Sequence, residues 1–317
     1  MRLRDDFVAV KVPASTANLG PGFDCMGMAL DLWDEIAVHA TAGPTSVVVE
    51  GEGAGTVAVD DTNLVVSSLR LALDRVGAPQ VGIRMRCRNR IPHSRGLGSS
   101  ASAIVAGVAL ARALIGEDEV LCAQDQLEIG THIEGHPDNV APAVFGGVTI
   151  AWADNERVGA IQMNPPAGIQ PVVFIPGFEL STTSARAALP QSVSHSDARF
   201  NVARSALLSG LLSGAAEIPE GSSFHDLLMD ATKDRLHQEY RRSSMESSAA
   251  LVDWLRSAGL AAVISGAGPT VLSLEPVSAT IIRQAEGAGW RVVPLKVSGA
   301  GVRITRGRLA GPAGTAD

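Results

Sequence analysis

Hydrophobic and polar positions repeat with two different periods along this chain, and the changes of period divide it into elements. The segment VGIRMRCRNRI (81–91) alternates residue by residue. Val81, Ile83, Met85 and Cys87 fall on one side and Arg84, Arg86, Arg88 and Arg90 on the other, which predicts a half-buried strand with a solvated arginine face. Before it, DDTNLVVSSLRLALDRVG (60–77) repeats Leu64, Val65, Leu69, Ala72, Leu73 and Val76 at helical spacing, with Asp61 or Thr62 as N-cap and Gly77 as the stop. After it, IPHSRGLGSSASAIVAGVALARALIG (91–116) passes from a Gly/Ser turn into a helix that is apolar nearly all round, the pattern of a buried central helix.

Elsewhere the pattern predicts strands at 7–15, 32–41 and 45–53, with a glycine-bearing turn over 16–27. A helix is expected over 117–135, a strand near 147–153 and an interrupted helical stretch from 181 to 258. The segment AAVISGAGPTVLSLEP (261–276) reads as two strands joined by a glycine turn, followed by a helix and two further strands. The polar, Pro/Gly-bearing region 154–168 is the expected domain boundary, giving an N-terminal domain over 1–160, a C-terminal domain over 161–306 and a flexible tail over 307–317.

Composition narrows the class. Hydrophobic residues make up 46% and charged residues 19%, the balance of a soluble globular protein, and 317 residues favour two domains sharing a cleft. The net charge of −7 argues against a nucleic-acid or anionic-membrane partner, and no segment reaches the ~20 apolar residues of a membrane span. Lysine occurs only at Lys11, Lys233 and Lys296, so cationic recognition falls to arginine, whose planar fork suits carboxylate and phosphate. Cys25, Cys87 and Cys122 are odd in number and widely spaced, which fits a reducing, cytoplasmic setting.

The Gly/Ser turn is where chemistry first becomes readable. Gly96 and Gly98 allow close backbone approach, Ser99 and Ser100 supply hydroxyls, and the helix start presents amide groups to an anion. A Ser99-capped helix after an ordinary turn is the plainer alternative. The turn is not a P-loop, because no lysine here follows a glycine, and neither Gly-x-Gly-x-x-Gly nor Gly-x-Ser-x-Gly is present. Phosphoryl transfer also needs hard oxygen ligands for Mg²⁺, for which Glu128, Glu134 and Asp138 are candidates. His132 and His136 have zinc-binding spacing, but Gly135 and Pro137 break the helix that would present them. Two more glycine turns, Asn18–Asp24 and Ser265–Thr270, also end predicted strands, where ligand sites of α/β proteins assemble.

These motifs together resemble the GHMP kinase family and, within it, the homoserine kinases. KVPASTANLGPGFDCMGMAL (11–30) is similar to the first family motif, PHSRGLGSSASA (92–103) to the second and SGAGPT (265–270) to the third, while HPDNVAPAVFGG (136–147) and STTSARAALP (181–190) are similar to segments of the homoserine branch. His93 and Ser102 depart from the usual second motif.

The resemblance implies an α+β two-domain GHMP kinase fold, with a left-handed β-α-β unit in the N-terminal domain and a ferredoxin-like C-terminal domain. It implies transfer of the γ-phosphoryl of ATP to the side-chain hydroxyl of L-homoserine, with Mg²⁺ as cofactor and a homodimeric state. Arg186 and Arg241 are then the carboxylate clamp, Asp24 and Asp138 face the ammonium or hydroxyl end, and Asn18, His136 and Asn139 surround the hydroxyl. Thr182 stands near the transferred group, and Asp24, Asp138, Asn139 and Thr182 are the implied catalytic set. Pro92, His93, Ser94, Arg95, Gly96, Leu97, Gly98, Ser99 and Ser100 hold the phosphates, Asn63 contacts the adenine, and Ser100 and Glu128 hold Mg²⁺. A GHMP kinase with a sugar or isoprenoid alcohol as acceptor, or a nucleotide-binding regulator without activity, are the alternatives. The two arginines set the first of these apart, since an acceptor without a carboxylate has no use for both.

Overall fold

The alternating segment forms the strand it predicts, and its apolar side is buried in a core shared with the helix that follows the Gly/Ser turn. The computed structural model describes residues 1–117, 119–154 and 157–306. The expected tail over 307–317 lies outside these residues. The first part of the chain runs β1 (Phe7–Asn18), β2 (Gly22–Thr41), β3 (Ser46–Gly51), α1 (Leu64–Arg75), β4 (Gly82–Asn89) and α2 (Ser99–Ile115). It continues through α3 (Ala123–Glu134), α4 (Val140–Phe145), β5 (Val148–Ala153) and β6 (Val158–Met163). The second part holds β7 (Val172–Ile175), α5 (Thr182–Ala187), α6 (His195–Leu212), α7 (Phe224–Ala231) and α8 (Glu246–Ser257). Then come β8 (Ala262–Ile264), β9 (Val271–Ser273), α9 (Ala279–Gly287), β10 (Arg291–Pro294) and β11 (Arg303–Arg306).

The larger sheet has the order β11-β1-β2-β4-β3, with β5 paired to β2 and β6 to β5. Only β3 and β4 pair in parallel, and α1 connects them as a β-α-β unit. The smaller sheet has the antiparallel order β10-β7-β9-β8, the first-to-fourth, first-to-third, third-to-second pairing of a ferredoxin-like layer. The expected boundary at 160/161 cuts β6, whose six residues pair along β5, and β11 returns to pair with β1. The larger sheet therefore takes strands from both expected segments.

One apolar core lies between the larger sheet and α1 to α4, with Val10, Ile36, Ile83, Met85 and Cys87 from the strands facing Leu69, Leu73, Val105 and Leu110 from the helices. A second joins the two parts: Leu19, Met26, Met28 and Leu97 pack with Leu208, Leu211, Leu228, Val263 and Leu272. The arginine face of β4 is solvated as expected, with Arg86 and Arg88 both paired to Glu50 on the neighbouring strand. Where a turn is expected over 16–27, β1 runs on to Asn18 and β2 begins at Gly22, because the apolar residues Leu19, Met26 and Met28 are all drawn into the joint core. The N-cap of α1 is Asn63 rather than Asp61 or Thr62: its side chain accepts from Val65 N, while Asp60 accepts from Thr62 instead. Among the described residues no helix is long and apolar enough to cross a membrane.

Candidate active site

Three glycine turns distant in sequence are bonded to one another at the start of α2. Gly98 precedes the helix with φ near 69°, and a Cβ there would lie 2.0 Å from Ser15 Oγ; at Gly96, φ is 72° and a Cβ would lie 2.3 Å from Ser265 O. Both positions demand glycine on conformation and on space. The Ser265 hydroxyl reaches Gly96 O (2.6 Å) and Thr16 Oγ1 (2.8 Å). Asn18 Nδ2 donates to Gly266 O at 2.8 Å, and Gly266 N donates to Ala17 O at 3.0 Å. The turns thus hold the first-turn amides of α2, which lack partners within the helix, at the mouth of a cavity.

That cavity, of about 210 Å³, is polar and highly charged. Asn18 and Asp24 enter it from residues with positive φ (69° and 57°), a conformation that costs a non-glycine residue energy and that clusters at functional sites. Asn18 Oδ1 accepts from Asp24 N, so its carboxamide bridges two turns. Asp24 meets Arg186 in a two-pronged ion pair, Nη1 to Oδ2 at 3.0 Å and Nη2 to Oδ1 at 2.8 Å. Burial works against the Arg186 charge, but Asp24 overcomes it and holds the guanidinium above its ordinary range. Arg241 is 2% exposed, and burial together with the neighbouring Arg186 pushes its guanidinium down.

His136 and Asp138 lie at the opposite wall, Nδ1 and Oδ1 being 2.5 Å apart. Burial opposes the imidazolium, yet the Asp138 hydrogen bond and charge win and raise the His136 pKa. Asn139 accepts from Ser15 Oγ at 2.9 Å, and Thr182 stands at the start of α5, after the Ser181 cap. Ser100 Oγ donates to Glu134 Oε2 at 2.7 Å, which puts two hard oxygens beside the first turn of α2. Such a donor set fits Mg²⁺, which takes few protein ligands and keeps phosphate oxygens and waters. Among the described residues no group of three or more His, Cys, Asp or Glu side chains that could hold a metal ion occurs.

A second cavity, of about 350 Å³, shares Ser94, Ser99 and Ser100 with the first. Val49, Val57, Ala58, Leu64 and Ala103 give it an apolar wall, and Asp34, Thr62, Asn63, Asn89 and His93 join the serines as its polar lining. Its size and flat apolar walls suit a nucleobase, and the shared serines connect it to the helix start. Asn63 lines it, but its side chain already bonds Val65 N and Ala58 O, so it shapes the wall as well as facing it. Burial lowers the His93 pKa. Asp34 is 5% exposed and accepts from the amides of Arg90 and Ile91, and burial pushes its carboxyl up to about 6.

Several expected residues are placed elsewhere. Glu128 lies on α3 away from Ser100, bonded to Gln124 in a separate surface hollow with Met1 and Arg75; its six-residue offset from Glu134 displaces it ~9 Å along the helix axis. Leu97 and Pro92 are buried beneath the loop and line neither cavity. Arg95 turns outward to Glu179 and to the carbonyls of His93, Pro176 and Gly177, tying the loop to the second part of the chain. Asn18, Asp24, Ser94, Gly96, Gly98, Ser99, Ser100, His136, Asp138, Asn139, Thr182, Arg186 and Arg241 do meet at the first cavity. Glu134, weighed in the sequence as one of three carboxylates, is the one that reaches Ser100, and its position at the helix stop before Gly135 is the signal that marks it. Ser15 and Ser265, which fasten the turns together, carry no such mark.

Comparison with known proteins gives a consistent result. The sequence profile of the GHMP kinases N terminal domain matches residues 63–147, and that of the GHMP kinases C terminal domain matches 215–275. A homoserine kinase of Streptomyces avermitilis is 46% identical over 299 residues, covering 94% of this chain and 95% of that protein. One of Corynebacterium kroppenstedtii is 43% identical over 311 residues, with 95% and 96% covered. The crystal structure of homoserine kinase from Cytophaga hutchinsonii superposes with a TM-score of 0.80 at 25% identity, covering 95% of this chain and 98% of that one. A mevalonate kinase structure shares the fold alone, with a TM-score of 0.64 at 13% identity and coverage of 92% and 99%.

Proposed function

The chain belongs to the GHMP kinase family, in its homoserine kinase branch, and from that premise we propose that it transfers the γ-phosphoryl group of ATP to the side-chain hydroxyl of L-homoserine, giving O-phospho-L-homoserine for threonine biosynthesis. The observation that carries the reading is the charged cavity in which Arg186, Arg241 and Asp24 converge, joined through Ser99 and Ser100 to an apolar compartment of nucleobase size.

The two arginines hold the acceptor's carboxylate, and bidentate geometry fixes its orientation as well as its charge. Asp24 and Asp138 hold the ammonium, while Asn18, His136 and Asn139 direct the hydroxyl towards the start of α2. The base lies between Asn63, His93 and the aliphatic wall, and the triphosphate runs past Ser94 to the amides of Ser99 and Ser100. Ser100 and Glu134 hold Mg²⁺, which neutralises charge on the phosphates when bound. Thr182 and the helix amides face the transferred group and stabilise its charge. Asp24 is engaged by Arg186, so its role is in binding; the loose transition state of phosphoryl transfer needs little early proton removal, and positioning dominates.

The reading carries with it a homodimer and a cytoplasmic setting; Cys25, Cys87 and Cys122 are free thiols, as a reducing compartment favours. A coupled ADP-release assay with Mg²⁺ and a panel of homoserine, serine, threonine, mevalonate and galactose tests the acceptor. Turnover of homoserine is the expected result. Turnover of mevalonate or galactose without homoserine overturns it, as does inactivity throughout.

A further inference from the structure

Arg241 has an unusual environment for a cation that must meet a substrate. Its Nε donates to Ala185 O at 3.1 Å, its guanidinium lies over the Phe23 ring at 5.5 Å, and its Nη1 lies 3.1 Å from His237 Nδ1. No described side chain carboxylate bonds to it. His237 is fully buried, is stacked on Phe23 with ring centroids 5.2 Å apart, and has Nε2 2.7 Å from Gly20 O.

These two contacts fix the state of the ring. A carbonyl oxygen only accepts, so Nε2 carries the proton, and an arginine only donates, so Nδ1 offers its lone pair. The neutral Nε2–H form alone satisfies both. Burial of the ring and the Arg241 charge both oppose protonation, with Asp234 and Asp24 acting the other way. Asp234 Oδ2 lies 3.7 Å from His237 Nε2, farther than Gly20 O, and its carboxylate is bonded by Asn201 Nδ2 and by the amides of Leu236, His237 and Gln238.

We propose that His237 is a positioning residue for acceptor recognition: held in place against Gly20 O and the Phe23 ring, it offers Nδ1 to Arg241 and so orients the guanidinium that receives the acceptor's carboxylate. The inference rests on the homoserine reading above, since it assigns Arg241 to a carboxylate. His237 supplies the neutral acceptor that orients the guanidinium without neutralising it. A carboxylate in its place would compete with the substrate for the same fork.

Two isosteric substitutions separate the two ring nitrogens. His237→Asn keeps an acceptor near the Nδ1 position and loses the link to Gly20, whereas His237→Gln keeps a donor near Nε2 and loses the acceptor facing Arg241. The expected result is a homoserine KM raised about tenfold or more in His237→Gln and by no more than about threefold in His237→Asn, on the scale of a lost hydrogen bond to a charged group. The KM for ATP stays unchanged in both. With 3-aminopropan-1-ol, which has the hydroxyl and amine but no carboxylate, the His237→Gln penalty on kcat/KM disappears. An equal penalty with both acceptors, or equal effects of the two substitutions, overturns the proposal and leaves a packing role. A wild-type protein inactive with homoserine overturns the acceptor reading instead, so the two failures are distinct. Matching melting temperatures of the two variants confirm that both are folded; if His237→Gln does not fold, His237→Leu, which keeps apolar bulk against Phe23 but offers Arg241 no acceptor, should raise the homoserine KM about tenfold or more, and a KM within about threefold overturns the proposal too.

Discussion

The two compartments that meet at Ser99 and Ser100 are built on opposite plans. The nucleobase side is lined entirely by residues between Asp34 and Ala103, has an aliphatic wall, and relies on backbone and packing. The acceptor side draws on β1, β2, α2, the α3–α4 connection, α5, Arg241 and the Gly266 turn, and its walls are charged. The first is complete within the first part of the chain, whereas the second depends on the joint core around Leu19, Met26, Leu97 and Leu208 that docks the two parts together. Shape suffices to bind a flat apolar ring, but a small zwitterion requires charges of both signs at fixed spacing, and two parts of the chain joined by one core can supply them.

The largest effect is expected where the compartments join. Glu134→Gln should lower kcat by ~10³-fold and abolish the response to Mg²⁺ titration, while Glu128→Gln should leave both unchanged. Reversal of that pair would return the metal role to Glu128. Next, Arg186→Ala should raise the homoserine KM by ~10²-fold with the ATP KM unaltered, because it removes a bidentate partner from the acceptor side alone. An equal rise in both constants would mean that the compartments are not separable. Asp24→Asn should raise the homoserine KM by ~10-fold with kcat held within about threefold; a kcat loss of ~10²-fold would make Asp24 the general base after all.

The smallest effect concerns the nucleobase side and is read in stability. The Asp34 carboxyl is raised from 3.8 to about 6 mainly by burial, so its charged form opposes folding. Above pH 6 that cost is present in full, at most ~3 kcal/mol, and it fades as pH falls from about 6 towards 3.8 because the folded protein takes up the proton first. Asp34→Asn keeps an acceptor for the amides of Arg90 and Ile91 and should raise the melting temperature at pH 7.5 by a few degrees, with the gain vanishing near pH 4. A gain independent of pH would exclude the buried charge as its cause.

Local pattern carried the reading where each residue's fate depends on near neighbours. The β4 alternation and the all-round apolar α2 follow from periodicity, and the glycines of the phosphate loop follow from what only glycine can adopt. The turn at 16–27 did not, because Leu19, Met26 and Met28 are apolar for the sake of a core made with residues almost two hundred positions later. The carboxylate proposed for the metal shows the same limit at finer scale. Glu128 and Glu134 are equally charged on one helix, and only the long-range contact between the end of α3 and the start of α2 distinguishes them. Arg95 sits inside the phosphate motif, yet a carboxylate at Glu179, 84 residues away, draws it outward.

The Arg186–Asp24 pair has a consequence for selectivity. Before the acceptor arrives, each charge of the recognition site already serves as counter-ion to the other. A zwitterionic amino acid can exchange into that pair, carboxylate to Arg186 and ammonium to Asp24, so that two new ion pairs replace one. A simple acid or a simple amine can take only one half and leaves the other half bare in a partly buried site. The site thus ranks the zwitterion above singly charged metabolites by the state in which it waits, before any question of their fit is raised.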